Sequence, residues 1–344
     1  MFKKDKKEKK SKKETGGEKG DKGTVDLRRE TKDLLVVCPD SKNWHPYFEK
    51  ATTSDGYRIR LEKSEWKNML VMCDDNAKPI VNIKPNPKPT PGTKETDART
   101  ILPDMVLVRQ LVKGITKAED YTNNLYGLGF SHTPGVNTIE SVIRYLERPV
   151  LHSHLSAIKK RVGHANFPLI NLSYYSNQAD LPIVIKVGTA EAGYGKIRIT
   201  DRGVLQDFRS CLATNNDYAT AERYIENRAY DLRVQCIGEH LRVYRRTSTN
   251  WKGNVGNSVL EEVQPSEEHK RWAHEVKGEF GMDIFTVDAI HTTDEKDFIL
   301  EINDSASGLA AENEEEDCGY IRDLVMKRLE ESYMKKEQSK EEKQ

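Results

Sequence analysis

The chain has little of what would mark several common classes of protein. No stretch among its 344 residues reaches the roughly 18 consecutive apolar residues of a membrane-spanning helix. Its five cysteines, Cys38, Cys73, Cys211, Cys236 and Cys318, are scattered and odd in number, and no pair has the spacing of a zinc knuckle or a redox motif. They fit thiols in a reducing compartment. There is no GxxxxGK[ST] string, so a P-loop is not expected. There is no net charge either: 55 Lys+Arg balance 55 Asp+Glu, which gives no support for a nucleic-acid binder. The N-terminus is basic, but no apolar segment follows it, as a secretory signal would require.

The balanced charge is unevenly spread. Eight lysines against Asp5 and Glu8 leave the first thirteen residues with a net six positive charges (8 − 2). Residues 1–32 have almost no apolar content and read as a disordered basic tail, because they cannot bury enough surface to offset chain entropy. Beside an anionic membrane, at roughly 1 kcal/mol per cation, the excess is worth ~6 kcal/mol at most. Arg28-Arg29-Glu30-Thr31 has the form of a basophilic kinase site.

Globular structure is expected from Asp33, where Leu34-Leu35-Val36-Val37 reads as a strand buried on both faces. Met105-Val106-Leu107-Val108 reads likewise, and residues 84–100, rich in proline, as a loop. Residues 33–134 then form a small α/β domain that ends at Thr133-Pro134-Gly135. Further on, helices are expected over 138–147, 149–162, 204–214, 266–280 and 318–335. Hairpins are expected over 182–199, 230–247 and 284–303, with a strand over 218–225 and a charged tail over 334–344.

Two of these hairpins carry chemistry. Ile183-Val184-Ile185-Lys186 places a lysine inside an apolar strand, where an unpaired charge is costly. Gly188, Gly193 and Gly195 follow, then Lys196, so a flexible turn is flanked by two cations suited to phosphate oxygens. In the second hairpin, Asp288 alternates with apolar Phe285, Val287 and Ala289, so it faces away from them. By the same alternation Glu301 and Asn303 share one face, and Leu300 and Ile302 the other. Three oxygen ligands on neighbouring strands suit a divalent cation shared with phosphates and water. Arg233, Arg245 and Arg246 on the middle hairpin suit a γ-phosphate or a carboxylate. His152 and His154 do not converge on one helix face and read as surface or capping residues.

The order of these elements resembles the ATP-grasp fold, and the strings resemble the synapsin family. Those strings are Pro103-Asp104-Met105-Val106-Leu107-Val108-Arg109-Gln110, Phe167-Pro168-Leu169-Ile170, Tyr218-Ala219-Thr220-Ala221-Glu222, Tyr230-Asp231, Arg233-Val234-Gln235, Arg246-Thr247-Ser248 and Asn250-Trp251-Lys252. The resemblance implies an α/β pre-ATP-grasp domain followed by a two-subdomain ATP-grasp domain over 135–333. It implies ATP as ligand with Mg²⁺ or Ca²⁺. Lys186 would touch the α/β-phosphates, and the lid with Gly193, Gly195 and Lys196 would fold over them. Glu222 and the backbone at Tyr224 and Ile225 would hold adenine, and Arg246 and Asn254 would face the γ-phosphate. Arg148, Asp231 and Lys252 complete the nucleotide set, and Asp288, Glu301 and Asn303 the metal set, with no catalytic residue assigned.

The partners implied are a second copy of the chain (dimer or tetramer), anionic vesicle membranes and the cytoskeleton. The location implied is cytoplasmic, peripheral on synaptic or other secretory vesicles. Some residues depart from the family pattern. Glu147-Arg148-Pro149 stands for Asp-Lys-Pro, Asp288 shortens a glutamate, and Asn303 replaces an apolar residue. The proline-rich C-terminal region and lipid-penetrating N-terminal segment of vertebrate synapsins are not found, which argues against a strictly presynaptic role. Two functions stay open: a nucleotide-binding regulator of vesicle clustering and neurotransmitter release, or a ligase joining a carboxylate to an amine or thiol through an acyl-phosphate.

Overall fold

A computed structural model of the chain describes residues 31–74, 78–85, 97–174, 181–214, 217–253 and 258–341. The basic tail, the string Arg28-Arg29-Glu30 and most of the proline-rich segment lie outside these residues.

The first domain is built on a parallel sheet. β1 (Thr31–Val37) takes in Thr31 and Lys32, two residues that composition assigns to the tail. It pairs in parallel with β2 (Arg58–Ser64), reached through the short helix α1 (His45–Phe48). Strands β3 (Met69–Met72), β4 (Ile80–Ile83) and β5 (Arg99–Ile101) form a small antiparallel sheet on the side. β6 (Met105–Val108) returns to pair with β1, and beyond α2 (Thr122–Phe130) the short β7 (Gly135–Val136) closes the order β2-β1-β6-β7. The unbroken apolar runs of β1 and β6 have a direct cause. Leu34, Val36, Met105 and Leu107 enter one core, and Leu35, Val37, Val106 and Val108 enter another on the opposite face.

The second domain starts with α3 (Ile139–Tyr145) and α4 (Arg148–Val162). Pro149 stands in the first turn of α4, where its missing N–H costs nothing, so it starts that helix. A four-stranded antiparallel sheet follows, made of β8 (Leu172–Tyr174), β9 (Ile183–Val187), β10 (Lys196–Ile199) and, after α5 (Arg202–Ala213), β11 (Ala219–Arg223). Its order is β10-β9-β11-β8, and it carries a small core of its own.

The larger sheet has the order β14-β13-β12-β15-β16. Its strands are β12 (Arg228–Ile237), β13 (His240–Ser248), β14 (Ser258–Val263), β15 (Ile284–Thr292) and β16 (Asp297–Asn303), with α6 (Glu267–Phe280) between β14 and β15. One face buries Val234, Phe285, Val287, Ile299 and Ile302 against α4 and α6. That leaves the other face to the site.

The last helix, α7 (Glu314–Glu341), runs through much of the expected charged tail. Its Ile321, Val325 and Leu329 fill the core between the parallel sheet and Ile237 and Ile284 of the second domain. Arg328 forks onto Asp283 with two bonds of 2.8 Å. The two domains are therefore packed through one hydrophobic core. No helix among the described residues is long and apolar enough to cross a membrane.

Candidate nucleotide and metal site

A cavity of about 390 Å³ opens between the two sheets of the second domain. Lys186 of β9 reaches it with its side chain almost wholly buried and its Nζ 2.8 Å from Glu222 Oε1 of β11. The same ammonium lies 3.4 Å from Glu301 Oε2 of β16. Arg148, the first residue of α4, donates from Nη1 to Glu301 Oε2 at 2.7 Å, with its Nη2 3.9 Å from Glu222 Oε2. Lys196 of β10 donates to Glu301 Oε1 at 3.0 Å. Three cations thus surround two carboxylates, and the knot carries one positive charge in excess (3 − 2).

The charges answer to one another. Burial pushes the Glu301 carboxyl up, but Lys186, Lys196 and Arg148 outweigh it and hold the group well below the usual carboxylate range. Burial, with Arg148 alongside, pulls the Lys186 ammonium down. Buried cations held close together are costly unless anions neutralise them, and phosphate oxygens would serve as well as the two glutamates do.

The lid folds over this knot. Gly193 and Gly195 take φ of 84° and 66°. A Cβ on Gly195 would stand 2.8 Å from the Val187 carbonyl oxygen, so the turn requires glycine on both counts. Lys252, beyond β13, donates to the Gly193 carbonyl at 2.8 Å. Glu191, at the lid's tip, accepts a bond of 3.0 Å from the Tyr145 hydroxyl of α3. Burial and the charge of Glu301 push its carboxyl up to about 7, against the Tyr145 hydroxyl and Lys196. Neither Glu191 nor Tyr145 is singled out by any motif; only the packing of lid on α3 reveals the pair.

On the floor, Asp288 of β15 lies directly opposite Glu301 of β16, and Thr286 opposite Asn303. Asn303 donates to Asp288 Oδ2 at 2.9 Å, while Asp288 Oδ1 is buried without a partner. The expected alternation fails at one place. A bulge in the β15–β16 ladder shifts the register, so that Ile299 and Ile302 enter the core and Leu300 lines the cavity beside Glu301.

Among the described residues no three His, Cys, Asp or Glu side chains gather as metal ligands. The donor set is two carboxylates and an amide, with one carboxylate oxygen buried and unpartnered. That set fits a hard cation completed by phosphate and water, better than a metal caged by protein alone.

The expected adenine side is formed by Tyr224 and Ile225, which line the cavity next to Trp251. Arg198 of β10 lies over the Tyr224 ring at 5.1 Å, and Tyr224 and Trp251 meet edge to face at 6.4 Å. Glu222 also lines the cavity, but its bonded partner is Lys186. Asp231 and Arg246 are cross-strand neighbours in its wall. Burial raises the Asp231 carboxyl although Arg228 Nε stands 3.1 Å away. A Cβ on Gly253 would lie 1.9 Å from Asp231 Oδ2, so a larger residue there would turn the Asp231 carboxylate aside. Asn254 lies outside the described residues.

One histidine differs from expectation. His152 is half-buried, and burial together with Arg148 and Lys186 pulls its imidazole down to about 4, so it is neither a surface nor a capping residue. All five cysteines are free.

Two family models match the chain: "Synapsin pre-ATP-grasp domain" over residues 27–135 and "Synapsin, ATP binding domain" over residues 137–331. Synapsin of Drosophila melanogaster is 29% identical over 309 residues, which cover 86% of this chain and 29% of that protein. The chain thus spans less than a third of that relative's length.

Among solved structures, ATP-grasp ligase PsnB, complexed with a phosphomimetic minimal precursor, Mg and ADP, superposes with a TM-score of 0.57 at 14% identity. That match covers 87% of this chain and 99% of the other. The RimK domain ATP-grasp protein of Sphaerobacter thermophilus gives 0.55 at 14% identity, covering 86% and 99%. D-alanyl-alanine synthetase A of Vibrio cholerae gives 0.54 at 11%, covering 87% and 99%. These likenesses establish the architecture, a pre-ATP-grasp domain followed by an ATP-grasp domain.

Proposed function

The chain belongs to the synapsin family, and on that premise we propose that it is a regulatory protein of synaptic or other secretory vesicles that binds ATP with a divalent cation. What carries the reading is one arrangement: Arg148, Lys186 and Lys196 meet beneath a glycine lid, opposite Asp288, Glu301 and Asn303. ATP supplies the anionic phosphates that the three cations lack beyond Glu222 and Glu301. Asp288, Glu301 and Asn303 hold Mg²⁺ or Ca²⁺, and the cation, when bound, offsets the phosphates' charge and fixes their direction. Tyr224 and Ile225 hold the adenine end. The lid, tied to α3 through Glu191 and to the Lys252 loop, excludes water.

In this reading nucleotide binding joins the two domains more firmly and favours assembly with further copies of the chain. The basic tail adds weak, salt-dependent contact with anionic vesicle surfaces, and the protein clusters vesicles and so regulates transmitter release.

Calorimetric titration of ATP with Mg²⁺, with Ca²⁺ and with chelator tests the site. Metal-dependent binding without ADP release, across a panel of carboxylates and amines, is expected. Steady, substrate-dependent ADP formation would overturn the regulatory reading in favour of a ligase. Removing residues 1–30 should weaken binding to phosphatidylserine liposomes and its salt dependence. An unchanged affinity retires the membrane part.

A further inference from the structure

The small antiparallel sheet of the first domain leaves one face bare. Met69, Val81, Ile83 and Ile101 enter the core, so alternation turns Leu70, Met72, Ile80, Asn82, Thr100 and Leu102 to the other side. Met72 lies opposite Ile80, and Leu70 opposite Asn82, whose other neighbour is Thr100. Leu70, Met72, Ile80 and Leu102 are 54%, 45%, 39% and 48% exposed. No charged side chain stands among the six, and the two polar ones bond each other, Thr100 Oγ1 donating to Asn82 Oδ1 at 2.6 Å. A contiguous apolar face of this kind marks a contact surface.

The chain enters the first domain beside one end of this face. The Asp33 N–H donates to Asp104 Oδ2 at 2.9 Å, and the Asp104 N–H to the Asp33 carbonyl at 2.8 Å. Asp104 stands two residues after Leu102, and its Oδ1 accepts from Lys78, two residues before Ile80. Lys32 Nζ lies 3.9 Å from the Tyr57 ring centroid and 3.5 Å from that of Tyr333, which fixes where the chain leaves β1.

Thirty residues precede Thr31, and beyond Met1 and Phe2 their only apolar side chains are Val25 and Leu27. These two alternate with Thr24, Asp26 and Arg28, so an extended backbone would turn both to one side. Leu27 is four residues from Thr31, a reach of up to ~14 Å. The segment is thus held at high local concentration beside Leu102 and Ile80.

We propose that residues 24–30 dock on this face, with Val25 and Leu27 covering Ile80 and Leu102. The lysine-rich segment ahead of them then hangs from a docked root rather than from β1. An anionic membrane suits the face less well, because the six side chains offer no cation. A second copy of the chain would have to displace a competitor already tethered at the site. The proposal does not depend on the nucleotide reading.

Hydrogen exchange of the full chain at low micromolar concentration, corrected for intrinsic rates, tests it. Amides of residues 25–30 should be protected by about tenfold or more over those of residues 3–13. Val25→Asp combined with Leu27→Asp should remove that protection, and Leu102→Asp, on the face itself, should do the same. The tail variant alters none of the described residues, and Ile80→Ser replaces Leu102→Asp if the latter does not fold. Exchange of residues 25–30 at the intrinsic rate in the unaltered chain overturns the proposal, as does protection that survives either change. Protection that rises with protein concentration would assign the face to a second copy. Protection that appears only with phosphatidylserine vesicles would assign it to lipid. Both results overturn the proposal as well.

Discussion

Lys186 and Glu222 form a 2.8 Å ion pair across β9 and β11, with side chains 4% and 5% exposed. Removing one partner of so buried a pair leaves the other uncompensated, at a cost of about 3 kcal/mol or more. Lys186→Met is therefore expected to destabilise the protein by about 3 kcal/mol and to lower ATP affinity at least tenfold. Lys186→Met combined with Glu222→Leu should recover most of the stability and none of the affinity. Urea unfolding and ATP titration of the two variants check this. Recovery of both would mean that the pair is structural and Lys186 does not meet phosphate.

Burial of Glu191 in the lid, beside the charge of Glu301, ties lid stability to pH. The Glu191 carboxyl rises from its ordinary 4.5 to about 7 in the folded protein. The folded state then holds the proton more tightly, so the contribution is fully present below 4.5 and is lost as pH rises through 7. Its upper limit is about 3 kcal/mol. Asp304, pushed up to about 6 by burial, acts in the same direction. Glu301 acts in the opposite direction, but its window lies below 4.5. Hydrogen-exchange protection factors of the lid, residues 188–196, corrected for the intrinsic pH dependence of exchange, should be higher at pH 5.5 than at pH 8. Glu191→Gln should flatten much of that difference; a profile identical to the unaltered chain's would remove Glu191 from the account.

Sequence carried much of this architecture because local patterns were strong. Buried runs such as Leu34–Val37 and Met105–Val108 can only be strands covered on both faces, and the alternation around Asp288 set its direction. What it could not carry was anything decided between distant elements. The bulge that turns Leu300 into the cavity leaves no mark in Ile299-Leu300-Glu301. Glu191 looks like any polar turn residue until α3 brings Tyr145 to it. Glu222 is expected on the adenine side, and its ion pair with Lys186 emerges only from the β9–β11 pairing. The helix α7 continues past residue 335 because nothing in that charged segment breaks a helix: it lacks both proline and glycine.

A buried amide ties the segment between β7 and α3 to the start of β15. Asn137 donates to the Ile284 carbonyl at 2.7 Å and accepts from the Asp283 and Ile284 N–H groups at 2.9 and 2.7 Å. Asn137→Ala would orphan two backbone donors and one acceptor in a site closed to water. At about 1–3 kcal/mol for each unsatisfied group, a loss of at least about 3 kcal/mol is expected. Denaturant unfolding should also lose its single transition if this contact couples the two domains. A variant that unfolds in one step at nearly unchanged midpoint would show that the amide is dispensable.

Asp288 and Glu301 face each other on the floor of the site, yet they should fail differently. Asp288 has one buried oxygen unpartnered, which the proposed cation would meet. Asp288→Asn should lower ATP affinity in Mg²⁺ and leave it unchanged in chelator. Glu301, by contrast, already neutralises Arg148, Lys186 and Lys196. Glu301→Gln should weaken binding in Mg²⁺ but strengthen it in chelator, because three cations lose an internal competitor to phosphate. The same change should cost about 3 kcal/mol of stability, and ATP should restore part of it by mass action. ATP titrations of both variants, each with Mg²⁺ and with EDTA, separate the roles. Equal behaviour of the two variants in EDTA would show that Glu301 does not stand in for phosphate.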